Sequence, residues 1–314
     1  MMSSAYIQPI SHNLFRVHDY GSEGEPIFEK MDFQQYVPNC LCRTMTAIIS
    51  IIKDLWFGML AFFSHFSHSH RYKNTIIDID PNPDALCILI HGLRGYPFMM
   101  NPLYEALQQT TQNKKVTVFQ PNIIKQGNCP LKEASATLLT ETLSWACRHP
   151  DKPILITGAS NGGRQAAYLA VKLKRKHAIK NPVMVSCIGA PLYGSTMTDQ
   201  PSWRESARKL WRWLIRSPIG GNHHEELVKE LSWASTSAQN LTENIRNTEL
   251  EQVDLYATPA DQIVTPFYTG LPRGVKNSSL FLITDEGHSS QISVMKNFWA
   301  ERCSDFIDKK TAHA

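Results

Sequence analysis

The chain has 314 residues, 42% of them hydrophobic and 19% charged, which describes a globular protein able to bury a substantial core and excludes a disordered chain. A formal net charge of +4 is too small over this length to argue for a nucleic-acid partner. The seven cysteines are scattered and form no Cys-x-x-Cys pair. A reducing, cytoplasmic setting with free thiols is therefore expected, with Cys87 and Cys187 buried in strand-like apolar runs.

Residues 1–21 lack a basic stretch followed by an apolar run, so no conventional signal peptide is expected. Residues 13–17 read as a short strand, and Gly21-Ser-Glu-Gly-Glu-Pro26 reads as loop. Residues 1–73 together read as an N-terminal extension, dominated by an apolar helix over 47–63. Its length approaches a membrane span, but Lys53 and Asp54 lie in its middle. Those two charges cost about 5–7 kcal/mol at a bilayer centre, and the ten Leu, Ile and Phe residues from 47 to 66 return only about 3–6. Spanning is thus disfavoured. Ser50, Lys53, Asp54, Gly58 and Ala61 gather into one narrow polar stripe on a greasy helix. Such a helix packs on its own domain, the reading its pattern favours, or lies peripherally in a membrane interface, or meets a partner. Cys40 and Cys42, just upstream, are candidate acylation sites. The histidines of 65–70 have no carboxylate or cysteine partners at ligand spacing, and Asn222-His-His-Glu-Glu226 lacks an H-E-x-x-H frame, so both clusters read as polar loop and no metal is expected.

From residue 74 the pattern becomes regular. Strands are predicted over 74–80, 85–91, 116–119, 154–157, 183–188, 253–257 and 279–284. Helices are predicted over 102–109, 133–148, 165–174 and 291–307. This alternation predicts an α/β domain over 74–314: a mostly parallel, doubly wound sheet with helices on both faces. The basic run 172–176 complements a helix C-terminus. No strand pattern appears over about 193–249, which reads as an inserted helical cap above the C-terminal edge of the sheet. Within it, 201–216 forms an amphipathic helix, with Trp203, Trp211 and Leu214 on the apolar stripe and Arg204, Arg208 and Arg212 opposite. A second helix is predicted over 225–234.

The chain is organised around Pro153-Ile-Leu-Ile-Thr-Gly-Ala-Ser-Asn-Gly-Gly-Arg164. An apolar β-branched run enters Gly158-Ala-Ser-Asn-Gly162, and a helical pattern leaves it. A serine at the tip of so tight a turn leaves little room two residues before or after it, and Gly158 and Gly162 supply that room. The turn also puts Ser160 at a helix start, where the Asn161 N–H and the helix dipole favour negative charge. A serine hydroxyl needs a base, and the base needs a carboxylate to hold its tautomer. Downstream, Asp261 and His288 follow the last two predicted strands, with Asp285 and Asp254 as alternative acids.

The order Ser, Asp, His and the surrounding motifs resemble the α/β-hydrolases, of the lipase/esterase kind, from about residue 74 to the C-terminus. His91-Gly-Leu-Arg-Gly95 is similar to the loop whose residue after His-Gly donates an oxyanion-hole N–H, which carries over to Leu93. Gly189-Ala-Pro-Leu-Tyr-Gly-Ser195 resembles the Pro-x-x-Gly-Ser turn of lipases. Ala159 and Asn161 depart from the histidine and the methionine or glutamine common at those positions, without removing a catalytic group. His91 is given a loop-ordering role.

The resemblance implies a serine hydrolase that cleaves carboxylic esters through an acyl-enzyme. Ser160, His288 and Asp261 would be its triad, Leu93 and Asn161 its oxyanion N–H donors, and no cofactor would be needed. Trp203, Trp211 and Leu214 would line the path of an acyl or lipid substrate. An acyltransferase with the same site, or an inactive adaptor on the same fold, are the alternatives.

Overall fold

The computed structural model describes residues 6–18, 40–68, 72–78, 80–196, 224–265, 267–272 and 274–312. Strands β1 (Tyr6–Ser11) and β2 (Leu14–His18) precede the long helix α1 (Cys40–His68). Then come β3 (Ala85–Ile90), α2 (Asn101–Thr110), β4 (Val116–Phe119), α3 (Leu131–Ala134), α4 (Ala136–Arg148), β5 (Ile154–Ala159) and α5 (Asn161–Val171). The chain continues through β6 (Val183–Ile188), α6 (Glu225–Leu231), α7 (Thr236–Arg246), β7 (Gln252–Ala257), β8 (Ser278–Ile283) and α8 (Gln291–Thr311).

The strands form one sheet in the order β1-β2-β8-β7-β6-β5-β3-β4. From β4 to β8 all neighbours are parallel. The β1–β2 hairpin is joined antiparallel to β8, with Leu14 opposite Ile283. Every residue of β3 and of β6 is buried, which is why these strands read as unbroken apolar runs and not as alternation. Successive side chains of β3 go to opposite faces. Leu86, Ile88 and Ile90 join the core that includes Leu138 and Trp145 of α4 and Leu169 of α5. Cys87 and Leu89 join the core that includes Leu103 of α2 and Trp299 of α8. The doubly wound α/β architecture is as expected.

The strand expected over 13–17 is present as β2, one arm of a hairpin. Several other local expectations are corrected. Residues 74–78 are not a strand, because their polar groups are spent on α4: the Ile76 N–H donates to Glu141 Oε2 (3.0 Å), and Asp78 accepts from Trp145 Nε1 (2.7 Å). The alternation there reflects one buried side chain, Ile76, beside the exposed Ile77. The helix expected over 133–148 breaks at Ser135. The helix after Ser160 starts at Asn161 and passes into a wider turn over Lys172–Lys176. The helix expected over 225–234 ends at Leu231.

Within 193–249, α7 was not foreseen. It packs on α5 and buries Ala238, with Leu241 and Ile245 in the core that includes Leu169 of α5. In chain order it lies between β6 and β7. The helix expected over 201–216, with Trp203, Trp211 and Leu214, lies outside the described residues.

Helix α1 is longer than the predicted 47–63 and is turned in an unexpected way. Ser50 and Phe57 are buried, whereas Ile48, Ile52, Leu55, Trp56, Leu60 and Phe63 are exposed. Its polar stripe faces the domain and much of its apolar surface faces outward. No helix among the described residues is long and apolar enough to cross a membrane.

Candidate active site

Ser160 stands between β5 and α5 with φ 55° and ψ −128°, a strained conformation for any residue but glycine. Three glycines make the turn possible. A methyl group on Gly158 would stand 2.1 Å from the carbonyl oxygen of Gly162, and one on Gly162 would stand 2.4 Å from that of Ile90. A methyl on Gly163 would meet the Cβ of Ala190 at 2.5 Å, so the start of α5 lies directly against the end of β6. The Ser160 N–H is tied to the carbonyl of Ile188 (2.8 Å).

The next residue, Gly189, links the serine turn to the expected acid. A methyl placed there would lie 3.5 Å from Asp261 Oδ2. Asp261, in the loop after β7, is buried. Its Oδ1 accepts the N–H groups of Ile263 and Val264, both at 2.8 Å, and its Oδ2 lies 2.7 Å from Nδ1 of His288. Both oxygens of Asp261 serve as acceptors, so Nδ1 of His288 is the donor of this bond and Nε2 is the nitrogen turned to other partners. Burial works against the charged imidazole, but the charge and hydrogen bond of Asp261, with a contribution from the Asp54 carboxylate, outweigh it and raise the His288 pKa above the ordinary histidine value. The structure thus brings Ser160, Asp261 and His288 to the C-terminal edge of one sheet.

Neither alternative acid faces His288 in this way. Asp254, inside β7, is buried and bonded to Arg302 (Nη2 to Oδ1, 2.7 Å). Asp285 is exposed, at φ 60°.

The loop after β3 closes on the serine. A methyl on Gly92 would lie 3.6 Å from Ser160 Oγ. Among the described residues, the backbone N–H groups of Leu93 and Asn161 have no backbone acceptor, whereas the flanking Arg94 N–H donates to the carbonyl of Gln126 (2.8 Å). His91 is fully buried. Its Nδ1 donates to the carbonyl of Gly92 (2.9 Å), and its Nε2 accepts the N–H of Ile123 (3.3 Å). Burial depresses its pKa to about 4, so it is a neutral fixture of the loop, as expected.

A second loop, unforeseen in the sequence, supports this one. Lys125, Gln126 and Gly127 all have positive φ, and the Gly127 carbonyl accepts from Asn161 Nδ2 (3.3 Å). Beside it opens a cavity of about 570 Å³ lined in nearly equal part by polar and apolar surface, with Asn74, Asn122 and Lys125 beside Tyr96, Ile123 and Ile124.

The sequence reading also missed the part played by α1. Asp54 accepts the backbone N–H groups of His288, Ser289 and Ser290, each at 2.8 Å. Lys53 reaches Glu286 Oε1 at 2.7 Å and the carbonyl of Asp285. The signal was present as a charge pair within an apolar helix, which needs partners wherever the helix packs. Its partners lie more than two hundred residues away in sequence.

Among the described residues, no group of three His, Cys, Asp or Glu side chains could hold a metal ion. The histidines of 65–70, whose side chains lie outside the described residues, add nothing to this. His224 donates its backbone N–H to Asn128 Oδ1.

No protein-family model and no curated protein matches the chain. Solved structures do match in fold. The chain is similar to the peroxisomal alpha-beta-hydrolase Lpx1 from Saccharomyces cerevisiae, with a TM-score of 0.52 and 11% identity over 73% of this chain and 78% of that one. It is also similar to Est1E from Butyrivibrio proteoclasticus, with a TM-score of 0.50 and 15% identity over 76% of this chain and 93% of that one. The fold is that of the α/β-hydrolases.

Proposed function

We propose that this protein is a serine hydrolase that cleaves carboxylic esters through an acyl-enzyme. The observation that carries the reading is the 2.7 Å contact between His288 Nδ1 and Asp261 Oδ2, at the sheet edge where a strained serine opens a helix. In this reading Ser160 Oγ attacks the ester carbonyl carbon while its proton passes to His288 Nε2. The oxyanion is held by the N–H groups of Leu93 and Asn161, where the dipole of α5 adds to them. Collapse expels the alcohol, which takes the proton from His288. Water then adds to the acyl carbon and gives a proton to the same nitrogen; the second collapse breaks the bond to Ser160 Oγ, which takes that proton back from His288, and the acid is released. Asp261 steadies the imidazolium in both halves without itself taking the proton. No step calls for a cofactor.

The substrate is an acyl or lipid ester met at a membrane surface, with α1 as the contact. Its two charged residues in the apolar stretch are turned toward the domain and bonded there, so the outer face carrying Ile52, Leu55, Trp56 and Phe63 can enter an interface without burying charge. The acyl chain is assigned to the apolar stripe of Trp203, Trp211 and Leu214 on the sequence pattern alone. Turnover of p-nitrophenyl esters of graded chain length, compared with Ser160→Ala, tests the hydrolase. Hydrolysis that persists in the variant would refute the site. A product that is mainly transferred ester when alcohol acceptors are added would make the enzyme an acyltransferase.

A further inference from the structure

The N-terminal extension makes contacts that the hydrolase reading does not use. Asp54 on α1 places its carboxylate against three consecutive backbone N–H groups, those of His288, Ser289 and Ser290. These lie in the turn that leads directly into α8, where a carboxylate also complements the helix dipole. The fit is close. A methyl on Gly287 would stand 2.6 Å from the carboxylate of Asp54, so a side chain before the histidine would push that carboxylate aside. One turn earlier along the same edge, Ser50 Oγ donates to the carbonyl of Ala260 (3.4 Å), the residue before Asp261. Lys53 binds Glu286 (2.7 Å). One stripe of α1 thus grips both the segment that carries His288 and the segment that carries its acid.

We infer that Asp54 is a positioning residue for His288: from the N-terminal extension it fixes the backbone of 288–290 and thereby aims the imidazole along the Asp261 bond. The inference rests on the hydrolase reading and deepens it. Asp54 has a second effect through its charge, which favours the imidazolium. Among the described residues, the charged groups around His288 are Asp261 from the loop after β7, Asp54 and Lys53 from α1, and Glu286 from its own segment. Lys53 pairs with Glu286, and the carboxylates of Asp261 and Asp54 favour the proton on the ring.

The experiment uses the full chain and a water-soluble ester, with turnover counted per site labelled by a fluorophosphonate. Asp54→Asn keeps one acceptor oxygen but removes the charge and turns an NH₂ toward backbone donors. The expected result is a fall in kcat of about 10- to 100-fold with KM changed little, because a small misplacement of a catalytic group costs that much. The acid limb of the kcat/KM profile should move to lower pH. An unchanged kcat per labelled site with an unmoved limb would overturn the inference and leave the hydrolase reading standing. Wild-type protein that takes no label would overturn the hydrolase reading itself, and this inference with it. Should Asp54→Asn not fold, Gly287→Ala presses on the same contact with Asp54 retained, and its kcat per labelled site decides in the same way.

Discussion

The Asp261 carboxylate spends one oxygen on the N–H groups of Ile263 and Val264 and the other on His288 Nδ1, at 2.7 Å. A carboxylate held by two backbone donors cannot rotate away from the ring it serves. Replacing Asp261 by Asn should therefore lower kcat about 10⁴-fold, the loss that follows when a triad carboxylate loses its charge and the histidine tautomer is no longer fixed. Asp285→Asn, at an exposed side chain, should leave turnover close to normal. Steady-state kinetics on the two variants check this, and a collapse in the second with normal turnover in the first would move the assignment.

The pH profile should carry the same mark. A general base works only when neutral, and His288 is held toward its protonated form: burial opposes the charge, but Asp261 and Asp54 more than compensate. The acid limb of kcat/KM should thus lie above the ordinary histidine value of about 6.5, with activity rising as pH passes through it. The limb should fall in any variant that removes one of those two charges. A wild-type limb well below 6 would contradict the geometry. His91, pushed to about 4 by burial, should add no inflection above that.

The serine turn tolerates no side chain at its flanks. Gly162→Ala places a methyl 2.4 Å from the carbonyl oxygen of Ile90, and overpacking of this kind costs about 1–3 kcal/mol. Scanning calorimetry should show a lowered Tm, and turnover should fall with it because the strain is relieved by moving Ser160. A variant with wild-type Tm and rate would mean that the turn is looser than described.

Helix α1 should bind lipid peripherally. In flotation with vesicles, wild-type protein should rise with the lipid and be released by alkaline carbonate. Trp56→Ser with Phe63→Ser should stay behind, since both side chains are exposed on the outer face. Protein that never floats, or that pairs through Ile52 into a dimer in solution, would refute the lipid assignment.

Much of the fold was legible because β3, β5 and β6 are buried on both faces, and such strands announce themselves as continuous apolar runs bounded by turns. The hairpin arm β1 was not legible. Its residues Gln8, Pro9 and Ile10 are exposed at the sheet edge, where neither alternation nor apolar content is required. The reverse error came over the described residues 74–78, where alternation had a single-sided packing cause and no ladder. Ser160, Asp261 and His288 could be picked out because each follows a strand end, and in such sheets residues at strand ends collect on one edge. Asp54 could not be assigned from sequence. A carboxylate in an apolar helix tells the reader that a partner exists, and only the fold tells which backbone it caps.

The central claim is that Ser160 is a nucleophile activated by His288. Its most direct test is covalent labelling of the native protein with a fluorophosphonate, followed by mass spectrometry of the digested chain. The account predicts one adduct per molecule on the peptide holding Ser160, lost in Ser160→Ala and strongly slowed in His288→Ala. Protein that takes no label under conditions where other serine esterases react, or an adduct mapped to a different residue, would contradict it.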